Sequence, residues 1–405
     1  MKPRSLDEAL DALRSVAGGD EGYYEESGDH GTLKEADSGP SLEAKAGSGR
    51  VKVFIHAGGT DLLVKMRQVP RTFSAVHAWS KGDKDSCERI AVIDISGLRD
   101  LRGIRIRDGK IIIGALTTHA EIESSEIVRR HAPVLAAAAS EIGSPQIRNR
   151  GTIGGNVCNA SPAADLLPAL VVYDAMLRLV RSTGSGVIEE RVVPLDGFVR
   201  APFTTVISPG EILTSVEVPV RGAFLGLYHA ATLGITVAKS RFDDMDTNPA
   251  ATGEPFWLAG YGKLGRRNAL SISIASVALL LRIVPIAGRT YATGTPVPVG
   301  ATGGPNRFRI DEARISIGAV TPRPIRFSKT EEILSGLVFG FDEDGQLDQA
   351  EVSGRIVVAS RAAVDEMISM SGIRQSTPYK SVAVRGLFEQ VLIGTLRLAA
   401  NSWRK

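Results

Sequence analysis

The sequence predicts an α+β fold in two units, and three features of the pattern carry this prediction. Short β-branched runs between residues 51 and 118 are typical of strands, whereas the alanine-rich stretch 133–142 is typical of a helix. Apolar helical patterns return beyond residue 350. With 405 residues, 43% of them hydrophobic, the chain can bury the cores of two or three domains. We expect a first unit over 1–220 and a second over 221–405.

Composition excludes several classes of protein. Lys and Arg number 48 against 45 Asp and Glu, and a net charge of +3 does not favour a nucleic-acid binder. The two cysteines, Cys87 and Cys158, cannot ligate an iron–sulfur cluster or a structural zinc by themselves. The opening residues MKPRSLDEAL lack the apolar core of a signal peptide, and the apolar stretch 269–281 is too short to span a bilayer. These features predict a cytoplasmic chain with no transmembrane segment, no metal of its own and no nucleic-acid partner.

The first unit opens with an amphipathic helix over 5–17, for which Ser5 is the N-cap and Glu8 follows three residues later. Residues 18–50 are rich in Gly, Ser, Asp and Glu and are predicted to be a disordered acidic insertion. Thr118 and Glu121 form a second capping box that begins a helix. The predicted strands of this unit are VKVFIH, AVIDI, GIRI, KIIIGALTT, 176–180 and 187–193.

The second unit is less regular. Residues 224–257 follow no sustained period, so no element is assigned there, and 271–283 are apolar on all sides, which fits a buried helix or strand. The remaining predictions are a Gly/Pro/Thr loop over 285–305, a strand over 314–320, and helices around Lys329, 352–370 and 387–400.

Two glycine loops dominate the first unit. The first, residues 57–61, follows the strand VKVFIH and precedes a short segment, 62–66, that could be helical; the second runs from Thr152 to Asn156. Successive glycines let neighbouring N–H groups point outward together, so such a loop can hold a pyrophosphate. A single Gly-Gly pair more often marks an ordinary turn, but two such loops, each flanked by a hydroxyl and by Asp or Asn, predict two walls around one dinucleotide.

Several other motifs have a structural interpretation. Gly260-Tyr-Gly262-Lys-Leu-Gly265 matches G-x-G-x-x-G, yet no acid follows between residues 285 and 295, so a nucleotide fingerprint is not predicted there. Cys158 is expected to be a buried thiol behind the second loop. His56 could contact a phosphate or bond to the backbone. No catalytic triad or paired-histidine metal motif is present.

The same loops carry a family resemblance that covers most of the chain. The chain resembles the FAD-binding medium subunit of the xanthine dehydrogenase and carbon monoxide dehydrogenase family of molybdenum hydroxylases. The motifs, in the order of that family, are IHAGGTDLLVKMR, GALTTHAEI, SPQIRNRGTIGGNVCNASPAADLLPALVVYDA, SPGEILTSVEVP, GYGKLGRRNALSISIASVA and RISIGAVTPRPIRFSKTEEIL.

The resemblance implies a two-subdomain FAD-binding domain of the PCMH type, followed by a C-terminal α+β domain with an antiparallel sheet and helices. It implies non-covalent FAD and no catalytic residue or metal ligand in this chain, since the chemistry lies in the flavin. The implied cofactor-binding residues are Ile55, His56, Ala57, Gly58, Gly59, Thr60, Asp61, Leu62, Ile142, Thr152, Ile153, Gly154, Gly155, Asn156, Asp165, Leu213, Tyr261 and Lys263.

The implied function is electron transfer. A small iron–sulfur subunit would supply electrons to the flavin, and NAD, oxygen or a quinone would accept these electrons from it. A large subunit would hold the molybdenum cofactor. Two alternatives stay open from the sequence: a free-standing FAD-dependent oxidoreductase of the same fold, and a scaffold subunit that has lost the flavin. Residues 18–50, 79–88, 238–257 and 285–305 have no clear counterpart in the family pattern, and because these departures concentrate where an acceptor should bind, the acceptor stays undetermined. The substrate stays undetermined because its pocket would lie in a different polypeptide, and so does the stoichiometry of the assembly.

Overall fold

A computed structural model describes residues 1–17, 42–46, 49–68, 89–184, 186–231, 234–238, 253–267, 270–286, 307–342 and 346–402. The helices in these residues are α1 (Leu6–Ala17), α2 (Leu62–Gln68), α3 (His119–Ser124), α4 (Glu126–His131), α5 (Pro133–Ser140), α6 (Pro145–Arg148), α7 (Ile153–Asn159), α8 (Leu166–Val172), α9 (Leu195–Phe198), α10 (Ser328–Leu334), α11 (Gln349–Ser371) and α12 (Thr377–Arg397).

The strands alternate with these helices through most of the chain, which confirms the α+β class. They are β1 (Leu42–Ala46), β2 (Gly49–His56), β3 (Arg89–Asp94), β4 (Ile104–Arg107), β5 (Lys110–Gly114), β6 (Met176–Ser182), β7 (Ile188–Pro194), β8 (Val199–Ala201), β9 (Thr204–Thr205), β10 (Glu211–Pro219), β11 (Phe224–Ala231), β12 (Gly234–Ala238), β13 (Phe256–Gly265), β14 (Ser273–Ile286), β15 (Arg307–Gly318) and β16 (Val338–Gly340).

The first sheet has the order β1-β2-β3, with β1 antiparallel and β3 parallel to β2. Helix α1 packs on it through Leu10 and Leu13, and the Glu8 N–H bonds the Ser5 hydroxyl, as the sequence predicts. Residues 42–46 pair with β2, so the predicted disorder of 18–50 is wrong for this part and for 49–50. The neighbouring strand satisfies backbone groups that the polar composition alone would leave to water. Residues 18–41 lie outside the described residues.

The second sheet has the order β4-β5-β10-β6-β7 and is antiparallel throughout. Its buried side packs against the alanine-rich helix α5 and the apolar helix α8, in one core that includes Ile113, Leu177 and Val216. Because α5 is lined by alanines, neighbouring elements approach its backbone closely.

The third sheet has the order β12-β11-β13-β14-β15-β16. The β11–β13 pair is parallel and the other pairs are antiparallel, so the prediction of an antiparallel C-terminal sheet holds for all but one pair. Strand β12 pairs with one edge of β11. The next strand, β13, pairs with the other edge of β11 and runs parallel to it. Residues 273–283 of the apolar run lie in this sheet, and residues 238, 256–257 and 285–286, taken above as ends of insertions, are also strand residues.

Strand β13 places consecutive side chains on opposite faces of the third sheet. Gly260 and Gly262 face α12: a Cβ on Gly260 would lie 2.3 Å from the Thr395 hydroxyl oxygen, and one on Gly262 would lie 2.5 Å from a Val391 methyl carbon. The absence of side chains at these two glycines therefore lets α12 pack closely on β13. The G-x-G-x-x-G motif here is a packing motif within a strand. Tyr261 shares the other face with a core that also contains residues of α5 and α8. The core is thus continuous across residue 220, and the domain boundary there stays a prediction.

Candidate functional site

The first glycine loop runs from the end of β2 to the start of α2, as the pattern predicts. Gly59 has φ +71°, a conformation that glycine adopts without strain, and a Cβ at this position would lie 2.5 Å from Nε2 of His56. Among the described residues, the backbone N–H groups of 58–62 have no hydrogen-bond acceptor. A run of free backbone donors on a partly buried loop is an arrangement that binds an anion.

His56 is fixed behind this loop. Its Nδ1 lies 2.9 Å from Oδ1 of Asp94, the last residue of the adjacent strand β3. Burial raises the pKa of Asp94, but hydrogen bonds from Ser96 and His56 outweigh this and lower the pKa to about 2. The carboxylate is therefore ionised at neutral pH and fixes the ring of His56, with Nε2 directed towards the loop.

The second glycine loop uses its backbone donors internally. The N–H groups of Ile153 and Gly154 bond the carbonyls of Thr117 and Ala115, at 3.0 and 2.9 Å. Those of Gly155 and Asn156 bond the hydroxyl and carbonyl oxygens of Thr152, at 3.1 and 2.9 Å. What this loop offers to a ligand is its side chains, because the buried Oδ1 of Asn156 lacks a hydrogen-bond partner in the described chain.

The first loop packs against the residues that flank the second loop. A Cβ on Gly58 would lie 2.0 Å from the carbonyl oxygen of Arg150 and 3.0 Å from the Cα of Gly151. The Nδ2 of Asn159, at the end of α7, donates to Oδ2 of Asp61 at 3.3 Å and adds a second link. The first glycine loop therefore lies against the residues on both sides of the second loop, and the enclosure of one dinucleotide by the two loops stays a prediction.

A buried ion pair joins the first unit to the third sheet. Lys263 and Asp165 are both 6% exposed, and the Lys263 amino group donates to Oδ2 of Asp165 at 2.7 Å. It also donates to the carbonyl oxygen of Glu141 at 2.8 Å, and the Ser273 hydroxyl bonds the other oxygen of Asp165. Burial raises the pKa of Asp165, and the charge of Lys263 opposes this effect. Lysine has three donors, and within the described chain one of them is left for a ligand.

Two residues of this cluster carry no signal in the sequence. Oε1 of Glu141 lies 3.2 Å from Nε2 of His229, whose ring centroid lies 5.6 Å from that of Tyr261. The hydroxyl of Tyr261 is buried beside Ser276, in a geometry that falls short of a hydrogen bond. Burial raises the pKa of Tyr261, and the charges of Asp165 and Glu141 raise it further. Only the pairing of β11 with β13 places His229 beside Tyr261, which sequence spacing does not reveal.

The other predicted residues are placed differently. Leu213 is 4% exposed in β10, next to a bulge at 213–215, and packs in the core. Ile142 is partly buried just after α5, and Ile153 is buried at the start of α7. Partly buried side chains at the first loop complete the set, namely Ile55, Ala57, Thr60 and Leu62. The structure thus shows two clusters of the predicted residues, one at the glycine loops and one around Lys263.

The thiol of Cys158, near the end of α7, is partly buried. Burial raises the pKa of the Cys158 thiol to about 12, which is typical of an inert thiol. No group of three or more His, Cys, Asp or Glu side chains within the described ranges could hold a metal ion. No described helix is both long and apolar enough to cross a bilayer. Cys87 lies outside the described residues.

Comparison with known proteins relates this chain to FAD-binding proteins. A family model described as the FAD binding domain in molybdopterin dehydrogenase matches residues 81–221. The xanthine dehydrogenase FAD-binding subunit of Escherichia coli O157:H7 is 36% identical over 164 residues, which are 40% of this chain and 49% of that protein. The match thus spans about half of that relative. The nicotinate dehydrogenase FAD-subunit of Eubacterium barkeri is 26% identical over 344 residues, which are 84% of this chain and 88% of that protein.

The fold has a counterpart among solved structures. A chain of the carbon monoxide dehydrogenase of Hydrogenophaga pseudoflava, in a form that lacks the Mo-pyranopterin moiety of its cofactor, superimposes with a TM-score of 0.60. The match covers 98% of this chain and 96% of that one at 20% sequence identity, so it shows the fold. Residues 81–221 of this chain thus match the FAD binding domain in molybdopterin dehydrogenase, and the chain resembles FAD-binding subunits of xanthine and nicotinate dehydrogenases in sequence and a chain of carbon monoxide dehydrogenase in fold.

Proposed function

We propose that this chain is the FAD-binding electron-transfer subunit of a multi-subunit molybdenum hydroxylase in the cytoplasm. Electrons reach its flavin from iron–sulfur centres of a small partner subunit, and a large partner subunit holds the molybdenum cofactor. The external acceptor is NAD, oxygen or a quinone. The similarity to FAD-binding subunits of xanthine and nicotinate dehydrogenases supports this proposal.

The observation that carries the proposal is the contact between the first glycine loop and the residues directly before the second. Gly58 lies against the backbone of Arg150 and Gly151, and the same loop holds the N–H groups of 58–62, which have no acceptor within the described part of the chain. FAD carries a diphosphate, an anion that backbone donors bind well. The residues present therefore fit the cofactor: residues 58–62 hold the diphosphate, and Thr152 and Asn156 form the opposing wall.

The second cluster fits the polar edge of a flavin ring. The remaining donor of Lys263 and the unpartnered hydroxyl of Tyr261 are buried groups with unused hydrogen-bonding capacity in the described chain. Such groups stabilise a ligand that supplies the missing partners. When bound, the flavin supplies the capacity to accept and release one or two electrons, and the protein binds it, orients it and limits its access to water.

A glycine substitution tests the proposal. Gly58→Ala places a methyl group 2.0 Å from the Arg150 carbonyl oxygen, so the loops must separate. We expect FAD affinity to fall at least about tenfold, which is about 1.4 kcal/mol. The matched control is Gly354→Ala, which adds the same methyl group to α11 with no atom within 4 Å.

The assay is a titration of FAD fluorescence with the purified full-length chain. Equal affinity of Gly58→Ala and the wild type would contradict the proposed diphosphate site. A wild-type chain that binds FAD and oxidises a substrate without partner subunits would favour the free-standing oxidoreductase. A wild-type chain that binds no FAD would favour the scaffold.

A further inference from the structure

The amino group of Lys263 lies at the C-terminal end of α5. It bonds the carbonyl oxygen of Glu141, the residue that follows the last helical residue, Ser140. The last carbonyls of a helix have no partner within the helix and carry partial negative charge, so they attract a lysine ammonium. The direction of the Lys263 amino group therefore depends on where the carbonyl of Glu141 points.

The side chain of Glu141 links the same residue to the third sheet. Its Oε1 lies 3.2 Å from Nε2 of His229, and the two side chains are 16% and 12% exposed. His229 on β11 is directly paired with Tyr261 on β13, two residues before Lys263. Glu141 thus contacts both neighbouring strands, β13 through its carbonyl and β11 through its carboxylate.

The contact of Lys263 with Glu141 differs from its contact with Asp165. Asp165 neutralises the ammonium by direct contact and is itself held by Ser273. The Glu141 carbonyl is a main-chain atom, and its position follows from how the end of α5 docks on β11 and β13. Oε1 of Glu141 and Nε2 of His229 approach to 3.2 Å across these two elements, in a geometry that falls short of a hydrogen bond.

We propose that Glu141 and His229 are positioning residues that direct the amino group of Lys263 towards the bound flavin. The inference rests on the proposed FAD site and goes beyond it, because neither residue belongs to the predicted cofactor contacts. The pair acts through Lys263: it fixes the carbonyl that, with Asp165, leaves one ammonium donor free for the ligand.

The test is a double-mutant cycle on FAD affinity in the full-length chain. Glu141→Ala keeps the main-chain carbonyl but removes the link to His229, and we expect the dissociation constant to rise about tenfold, or about 1.4 kcal/mol. Glu141→Gln keeps an oxygen for His229 and should stay within about threefold of the wild type. In a Lys263→Met background, Glu141→Ala should cause no further loss, because the residue that it positions is gone.

Controls separate positioning from a general loss of structure. Glu189→Ala removes an ion-paired glutamate in β7 and should leave the dissociation constant unchanged in both backgrounds. His229→Gln provides a second route if Glu141→Ala does not fold, and it should weaken binding in the wild-type background alone. The proposal would be overturned if Glu141→Ala weakened FAD binding in the Lys263→Met background by the same factor as in the wild type. It would also be overturned if Glu141→Gln bound FAD as weakly as Glu141→Ala. A wild-type chain without FAD affinity would overturn the proposed function itself, and this inference with it.

Discussion

Removal of the buried lysine should expose the energetic cost of the contact between the two units. Lys263→Met keeps a chain of similar length but deletes the charge that faces Asp165 at 2.7 Å and the donor to the Glu141 carbonyl. Asp165 is 6% exposed, so its carboxylate is left with Ser273 as its described hydrogen-bond donor. Loss of one partner of a buried pair costs about 3–5 kcal/mol.

The pH dependence of this loss has a definite sign. Burial raises the pKa of Asp165 and Lys263 lowers it, so Lys263→Met raises it further. The folded variant then keeps a proton that the unfolded chain, with an ordinary Asp pKa of about 3.9, has already released. Folding stability therefore falls as pH rises from about 4 to the raised pKa. The deficit relative to wild type should be larger at pH 8 than at pH 5.

Urea unfolding followed by far-ultraviolet circular dichroism measures this effect on the chain without flavin. Asp165→Asn combined with Lys263→Met removes both charges and keeps an acceptor for Ser273, so we expect it to recover most of the stability that Lys263→Met loses. Wild-type stability of Lys263→Met at pH 8, or a double variant less stable than either single one, would refute the reasoning.

Three further predictions concern the surroundings of the glycine loops. Gly154→Ala places a methyl group 2.7 Å from the carbonyl oxygen of Ala115 and should cost about 1–3 kcal/mol in urea unfolding. Cys158, with its pKa raised to about 12, should react with iodoacetamide at pH 8 far more slowly in the folded chain than in urea. Asp94 has a lowered pKa of about 2, so its contribution to stability is present above pH 4 and is lost as pH falls towards 2. Asp94→Asn should therefore destabilise the chain at pH 6 and have a smaller effect at pH 3.

Each of these has its own control. Gly354→Ala has no atom within 4 Å of the added methyl group and should be neutral or stabilising, since alanine favours a helix over glycine by about 1 kcal/mol. Equal losses for the two alanine variants would refute the close approach at Gly154. Labelling of Cys158 must be assigned by peptide mapping, and equal rates in folded and unfolded chain would show an accessible thiolate. A loss at pH 3 as large as that at pH 6 would exclude the ion pair with His56 as the cause for Asp94.

The sequence predicted the local parts of the fold well. Strand runs such as VKVFIH and the capping box of Thr118 and Glu121 depend on neighbouring residues alone, and both are present. The strand 273–286 stayed ambiguous because an apolar run has no period that distinguishes a buried strand from a buried helix. Strand β1 was missed because it lies in the segment 18–50, which is rich in Gly, Ser, Asp and Glu and as a whole has the composition of a loop.

In the candidate site, too, the sequence predicted the local features but not the contacts between distant segments. The glycine loops were visible because Gly-Gly pairs mark their positions, although the sequence could not show that the second loop uses its own N–H groups internally. The partners of Lys263 come from three distant segments, at Glu141, Asp165 and Ser273. Only strand pairing and helix docking bring such residues together, and this information is not local in the sequence.

The central claim is that this chain binds FAD by itself. The most direct measurement is the visible spectrum of the purified chain after addition of equimolar FAD and desalting, with identification of the flavin that acid releases. We expect absorption bands near ~370 and ~450 nm, which are typical of a protein-bound flavin, and release of intact FAD as a non-covalent cofactor. A colourless protein after desalting, from a chain that is folded by circular dichroism, would contradict the claim.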